Sequence, residues 1–383
     1  MKEHSSIKTD FMIILFGNID YDGRVQRLLE AIEPLGKQYL LDYKCVNNKN
    51  RNHRLFSILA IGKARIVFRH VLFWLKTVTK ALAKRPKVVI GCDYYAAFPA
   101  LFVSRITGAM LIYDAHELII PETGKHMSIR GLFWYILEKL TIKQADMVIA
   151  ANLDRAHLMM KHYSLKDLPT VVRNIYQSEN GNIKTDEANK LYSDLLRRYP
   201  GERLILYQGN VSLSRGITRI LDALNYLPEY YRLIIAGDGP DLQELKIIGK
   251  SFEQKGRFTV LGRVENRFLI AIARFADVGI ITYPFEGLNN IYCSPNKLYE
   301  YANAGLPVVA TNQPPIKQAI ETFRIGELVT TSDSPRQIAQ VLMKVAENKK
   351  DYQQQLKSFL EANRWEDEAL RLRIAMIKVI KRI

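Results

Sequence analysis

The sequence predicts an α/β protein made of two doubly wound, parallel-sheet domains. Three observations carry that prediction. Short apolar, β-branched runs alternate with longer helical patterns along the whole chain, which is the rhythm of βαβ units. At 383 residues the chain exceeds one ordinary core and suits two domains of common size. A polar stretch, SENGNIKTDEAN at 178–189, is nearly free of large apolar residues and marks a linker or a loop before a helix.

In the first half the strands are FMIILF (11–16), KVVIG (87–91), MLIYD (110–114) and DMVIAA (146–151). Helical patterns fill 23–35, 55–83, 95–107, 129–144 and 152–163 between them. In the second half the strands are RLILYQG (203–209), YRLIIAG (231–237), RFTVLG (257–262), DVGIITYP (277–284), PVVAT (307–311) and GELVTT (326–331). Helices are expected over 216–226, 240–255, 266–274, 295–304, 315–322 and 335–347. Open α/β sheets bind ligands beyond the carboxyl ends of their strands. Two such halves facing across a shared cleft place the chemistry at those edges.

Composition narrows the function. A hydrophobic content of 48% with 25% charged residues is that of a globular protein. Cys45, Cys92 and Cys293 lie far apart and match neither a zinc spacing nor a disulfide framework, so a reducing compartment is expected. The polar start and short FMIILF run do not form a signal peptide, and no apolar stretch is long enough to span a bilayer. Net charge is +16, and between Tyr43 and Cys92 there are 12 Lys/Arg and no acid. Such a field attracts polyanions. In 55–85, Phe56, Phe68, Phe73 and Trp74 interleave with Lys63, Arg65, Arg69 and Lys76, so the segment 43–92 suits an anionic membrane surface as well as it suits buried helices with basic outer faces. No helix-turn-helix pairing, zinc knuckle or RNP-like strand supports nucleic acid as a partner.

The strand ends hold the candidate site residues. Gly17 and Gly23 sit in GNIDYDGRV, which also holds Arg24; His116 and Glu117 sit in DAHEL; Asn174 closes the first half in VVRNIY. In the second half come Gly209, Asn210, Arg215 and Gly216 in QGNVSLSRGI, then Asp238 between Gly237 and Gly239. The last is SPNKLYEYANAGLPVVA, where a helix of small and aromatic residues carries one glutamate, Glu300. Ser294 can cap that helix and Pro295 suits its first turn, whose free amides favour an anion, above all a phosphate. Arg215 supplies a paired cation and Glu300 reaches a hydroxyl on the same ligand. Singly, each has a plainer reading: turn glycines, a surface arginine, a structural histidine, a glutamate on a solvated face. Their shared position at strand ends favours the ligand reading. Neither a dinucleotide glycine fingerprint nor a P-loop follows either first strand, which argues against NAD and ATP enzymes.

These motifs, SPNKLYEYANAGLPVV first and then YDAHEL, QGNVSLSRGI and IAGDGP, resemble the GT-B glycosyltransferases. Within them the chain is similar to the retaining enzymes of glycosyltransferase family 4, in the variety carrying PNKLYEY. The resemblance runs from GNIDYDGRV to a final helix beginning near Trp365. It implies an acceptor-side domain over 1–177 with the helix 364–383 packing back on it, a linker and connecting helix over 178–200, and a donor-binding domain over 201–363. It implies a nucleotide diphosphate-sugar donor, UDP- or GDP-linked, with no cofactor; no Asp-x-Asp-type carboxylate pair is placed to hold a divalent ion, so no metal is expected. Glu300 would hold the ribose hydroxyls, and Arg215 and Lys297 would neutralise the diphosphate. Ser294, Asn296, Lys297 and Leu298 would line the amide turn. Gly17, Gly209, Asn210, Gly237 and Asp238 would lie along the phosphates, Tyr283 and Pro284 near the base. His116 would lie beside the donor sugar, and Arg24, Glu117 and Asn174 are the acceptor-side candidates.

One departure stands out. Relatives often carry two glutamates separated by seven residues; eight positions before Glu300 stands Tyr292, so the first glutamate is missing, leaving Glu286, Asn289 or Asn290 for the sugar contact. The implied reaction is retaining hexosyl transfer to a lipid-linked or oligosaccharide acceptor, in surface polysaccharide, lipopolysaccharide or glycolipid assembly. Its place would be cytoplasmic, peripheral on the inner face of the membrane. The rivals are a non-catalytic donor-binding protein and a nucleotide-sugar 2-epimerase, the latter needing acids such as Glu117 and Glu122.

Overall fold

A computed structural model describes residues 9–42, 54–57, 66–122, 126–176 and 201–381, with residues 124, 190, 192, 196 and 199 described singly. The chain divides into two compact units, Met1–Asn174 with Glu366–Ile383, and Ile175–Trp365. The stretch 178–189 lies outside the described residues.

The first unit is a seven-stranded, wholly parallel sheet. β1 (Thr9–Leu15), β2 (Gly36–Asp42), β3 (Arg54–Ser57), β4 (Val88–Cys92), β5 (Met110–Ala115), β6 (Met147–Ala150) and β7 (Thr170–Val171) lie in the order β3-β2-β1-β4-β5-β6-β7. The central strands β4 and β5 are almost wholly buried and, Asp114 and the Tyr113 hydroxyl aside, apolar, because helices cover both faces of a parallel sheet. Those helices are α1 (Gly23–Ile32), α2 (Ile66–Lys84), α3 (Tyr94–Thr107), α4 (Ile129–Ile142) and α5 (Leu153–Tyr163). The final helix, Trp365–Ile380, belongs to the same unit through its residues from Glu366 onward. Its Leu372 and Met376 are buried, and the Arg173 guanidinium donates to its fully buried Glu368 at 2.6 Å.

Two expectations need correction here. The pattern over 55–83 is not one helix: Arg54–Ser57 pairs in parallel with β2 as an edge strand, and the helix starts at Ile66. β2 itself was not foreseen. It follows a 3₁₀ turn directly after α1, and its polar Lys37 and Gln38 hide the apolar Tyr39–Leu41 from a search for apolar runs.

The second unit is a six-stranded parallel sheet. β8 (Arg203–Gln208), β9 (Tyr231–Ala236), β10 (Phe258–Gly262), β11 (Val278–Ile281), β12 (Val308–Thr311) and β13 (Gly326–Val329) lie in the order β10-β9-β8-β11-β12-β13. β11 stops at Ile281, short of the predicted end at 284, where Pro284 has no N–H for a ladder. Two apolar clusters fill the unit, one centred on Tyr301 and Phe268, the other on Tyr207 and Tyr231. In each sheet the chain order reverses beside the first strand, at β1/β4 and at β8/β11. At such points the loops diverge and leave a crevice at the carboxyl edge.

Candidate functional site

At the β8/β11 reversal the structure assembles most of the second unit's predicted residues. The helix Asn296–Asn303 begins with Pro295 at its N-cap. Ser294 therefore stands one residue outside the cap position that the sequence suggested for it, because the extended backbone of Pro295 already forms the boundary. Lys297, in the first turn, is 7% exposed, and its Nζ has no hydrogen-bond partner. It rests 4.1 Å from the centroid of the Tyr207 ring. Burial, reinforced by the nearby Arg215 cation and opposed by Glu300, pushes its pKa down to about 7. An unpaired buried amine of this kind is costly unless a ligand anion completes it.

Arg215 ends the 3₁₀ turn Leu213–Arg215, which Gly216, at φ 75°, joins to the helix Ile217–Ala223. Its guanidinium lies 5.0 Å from the Tyr283 ring centroid, and its charge opposes the upward push of burial on the Tyr207 hydroxyl, which donates to the Asn210 carbonyl at 2.7 Å. Glu300, one helical turn from Lys297, accepts from Gln208 Nε2 at 2.5 Å. Two glycines shape the floor. Gly209 has φ 111°, and a Cβ there would press on Lys297 Cε at 2.9 Å. A Cβ on Gly237 would stand 1.9 Å from the Gly209 carbonyl oxygen, so the β8 and β9 loops approach only without side chains.

The remaining second-unit candidates are spread around this cluster. Leu298 is buried in the core and Asn296 Oδ1 is buried without a hydrogen-bond partner. The Tyr283 N–H donates to Thr311 Oγ1 at 2.9 Å, and the Tyr283 carbonyl accepts from Gln313, which fixes the loop that leads to Pro284. Asp238 is exposed and caps its own turn by accepting from the Gly239 N–H. Asn290 donates to the Glu286 carbonyl at 2.8 Å within the short helical turn Leu288–Ile291, and Tyr292 follows half-buried. Tyr207 and Gln208, the last two residues of β8, are not among the residues that the sequence predicts for the site. Their only signal was adjacency to Gly209, since inside an apolar strand a tyrosine and a glutamine look like packing residues.

In the first unit, Arg24 forks onto Asp114 at 2.5 and 3.1 Å and donates to the Val172 carbonyl. His116 Nε2 lies 3.2 Å from the same carboxylate. Burial alone would lower the His116 pKa, but Asp114 outweighs it and the net direction is upward. Burial likewise opposes ionisation of Asp114, yet Arg24 and His116 hold its carboxyl well below the usual range. Arg24 is thus engaged inside the unit, and Asn174 accepts a hydrogen bond from Arg27. Gly17 is half-buried just after β1, Glu117 is exposed and Glu122 half-buried. Cys92, Asp114 and His116 offer ligand atoms within 4.8 Å of one another, the one such group among the described residues. The Arg24 cation already occupies Asp114, and burial pushes the Cys92 thiol up, so the group is built as an ion-pair network rather than a cation cradle.

Residues 192–359 match the family model described as Glycosyl transferases group 1. No curated protein matches the chain at a significant level. Among solved structures, Anabaena HepE in complex with UDP and glucose is similar at a TM-score of 0.73 and 15% identity, covering 97% of this chain and 100% of that one. Sucrose-phosphate synthase from Thermosynechococcus elongatus is similar at 0.71 and 16% identity, covering 98% and 100%. WaaG, a glycosyltransferase involved in lipopolysaccharide biosynthesis, is similar at 0.66 and 14%, covering 91% and 93%. The chain has the GT-B fold of two Rossmann-like α/β domains, and the cluster of Lys297, Arg215 and Glu300 lies within its Glycosyl transferases group 1 match.

Proposed function

We propose that the protein is a glycosyltransferase that moves a hexosyl group from a nucleotide diphosphate-sugar to an acceptor hydroxyl, with retention at the anomeric carbon. The observation that carries this reading is the unpartnered Lys297 amine, buried beside Arg215 at the amino end of the Asn296–Asn303 helix. Two cations and a helix terminus converging on a glycine-floored crevice suit a diphosphate. Glu300, held by Gln208, suits the hydroxyls of the adjoining pentose. HepE was crystallised with UDP and glucose, which supports a UDP-linked donor; a GDP-linked one has the same phosphate chemistry.

The chemistry follows from charge. As the glycosidic bond to the diphosphate breaks, negative charge grows on the departing phosphate, and fixed cations in a water-poor crevice stabilise it. Arg215 and Lys297 supply the positive charge that a divalent ion gives other phosphate enzymes, so transfer is assigned as metal-independent. The leaving phosphate oxygen takes the acceptor proton. Asp114 raises the His116 pKa against the effect of burial, and His116 is assigned to position or polarise the donor sugar rather than to act as a base. The acceptor is assigned as a lipid-linked or oligosaccharide hydroxyl of surface polysaccharide, lipopolysaccharide or glycolipid assembly, at the inner face of the cytoplasmic membrane; the role of WaaG in lipopolysaccharide biosynthesis supports that class.

Radiolabelled UDP-glucose and GDP-mannose, incubated with the protein and a crude lipid acceptor fraction, test the assignment. Arg215→Ala is expected to lower turnover by about 100-fold or more. Glu300→Ala is expected to raise the donor KM more than it lowers kcat. Equal turnover by wild type and both variants removes the site assignment. UDP binding without transfer or hydrolysis in any arm favours a non-catalytic donor-binding protein.

A further inference from the structure

α4 is amphipathic in the wrong sense for a helix facing water. Its exposed stripe is Ile129, Leu132, Phe133, Ile136 and Leu140, spaced at one helical face, with Ile129 90% exposed. α3 packs against both α4 and α2 and continues the layer, with Phe102 and Ile106 exposed one turn apart. On α2 the exposed apolar residues are Val71, Leu75 and Leu82, again on one face. Three adjacent helices of one unit thus turn their outward stripes apolar together, whereas scattered single exposures are ordinary.

The charges on these helices have one sign. α2, α3 and α4 hold seven Lys/Arg, among them Lys76, Lys80, Arg105 and Arg130, and one carboxylate. That carboxylate, Glu138, is 1% exposed and accepts from the Tyr113 and Tyr163 hydroxyls inside the core. No carboxylate on these three helices therefore reaches solvent. A second copy of the same face would oppose cations to cations, which disfavours a symmetric dimer through it. A bilayer with anionic head groups meets both features: acyl chains receive the apolar stripes while phosphates meet the flanking cations.

We infer that the α2–α3–α4 face of the first unit is a docking surface for an anionic lipid bilayer. Of the acid-free segment 43–92, which the sequence favours as the membrane-facing site, α2 is the part that lies on this face. Residues 43–53 and 58–65 lie outside the described residues, and the longest apolar stripe is on α4, outside that segment. The inference stands apart from the glycosyl-transfer reading, since it uses no donor-site residue.

Flotation of the full-length chain with phosphatidylcholine vesicles, and with vesicles of phosphatidylcholine and phosphatidylglycerol at 7:3, tests it directly. The wild type is expected to float with the anionic vesicles, to stay below with the neutral ones, and to be released at high salt. Phe133→Glu with Ile136→Glu, both already exposed, should lower anionic flotation at least about tenfold without lowering the melting temperature. Arg105→Glu with Arg130→Glu should do the same while leaving the apolar stripe intact. Equal flotation on both vesicle types, or undiminished flotation of either double variant, overturns the inference. So does sedimentation as a dimer that Phe133→Glu with Ile136→Glu makes monomeric, because a second copy would then be the occupant.

Discussion

The Lys297 ammonium has lost its water without gaining a carboxylate, and its pKa of about 7 makes the candidate donor site sensitive to pH. Below about pH 7 the amine enters the crevice charged; above it, a diphosphate has to draw a proton onto Lys297 before the pair forms. UDP affinity is therefore expected to fall as pH rises above about 7, by at most about tenfold per pH unit. Isothermal titration from pH 6 to 9 measures that slope, and Lys297→Met should flatten it while weakening binding at pH 6. Stability moves the other way. The folded-state pKa is depressed, so between about 7 and the ordinary lysine value of 10.5 the unfolded chain holds the extra proton. Unliganded stability then rises with pH across that window, and Lys297→Met abolishes the rise. Parallel pH profiles of wild type and variant, in either binding or stability, would exclude Lys297 as the titrating group.

Glu138 ties three elements together from the middle of α4. Its two oxygens accept from Tyr113 on β5 and from Tyr163 at the end of α5, both at 2.6 Å. Burial pushes its pKa up to about 7, although both hydroxyls pull it down. Glu138→Leu leaves two buried hydroxyls unpaired and is expected to cost roughly 2–4 kcal/mol, read by denaturant unfolding. Glu138→Gln keeps one oxygen as an acceptor and should cost less than half as much. A Leu variant as stable as wild type would show that the network contributes nothing. Elements of this kind also mark where sequence stops being legible. The strands β1, β4, β5, β6 and β8 to β13 were readable because a parallel sheet covered on both faces favours apolar runs. β2 and β3 were not: one mixes Lys37 and Gln38 with its apolar residues, and the other sits at the sheet edge, where the pairing that makes it a strand comes from 15 residues earlier. At the site, Arg215 and Glu300 were legible from helix-start chemistry and charge type, and Lys297 through the resemblance carried by SPNKLYEY. Tyr207 and Gln208 were not, because what they do depends on which loop folds over the end of β8.

At the scale of the whole molecule, the chain leaves the first unit at Asn174 and re-enters it at Glu366. The returning helix is held by its apolar face and by one charge cluster. Leu372, Met376 and Val379 are buried, and Glu368 accepts from the Arg173 guanidinium and backbone N–H and from Arg371. Removing residues 366–383 exposes the partners of those three side chains, a loss of roughly 5–9 kcal/mol at about 1.5–3 kcal/mol each. That is comparable with the entire stability of an ordinary domain, about 5–15 kcal/mol. The second unit keeps both of its own apolar clusters, and every residue of the Lys297 site lies within it. Calorimetry of the truncated chain is therefore expected to show one lost or strongly lowered transition and one preserved. The preserved transition should still rise with added UDP, since a ligand bound only to the native state raises its melting temperature. Glu368→Ala in the full chain should weaken the same first transition by a smaller amount, because Arg173 is partly exposed and water replaces part of the lost pairing. Loss of both transitions on truncation, or of neither, would break the assignment of the final helix to the first unit.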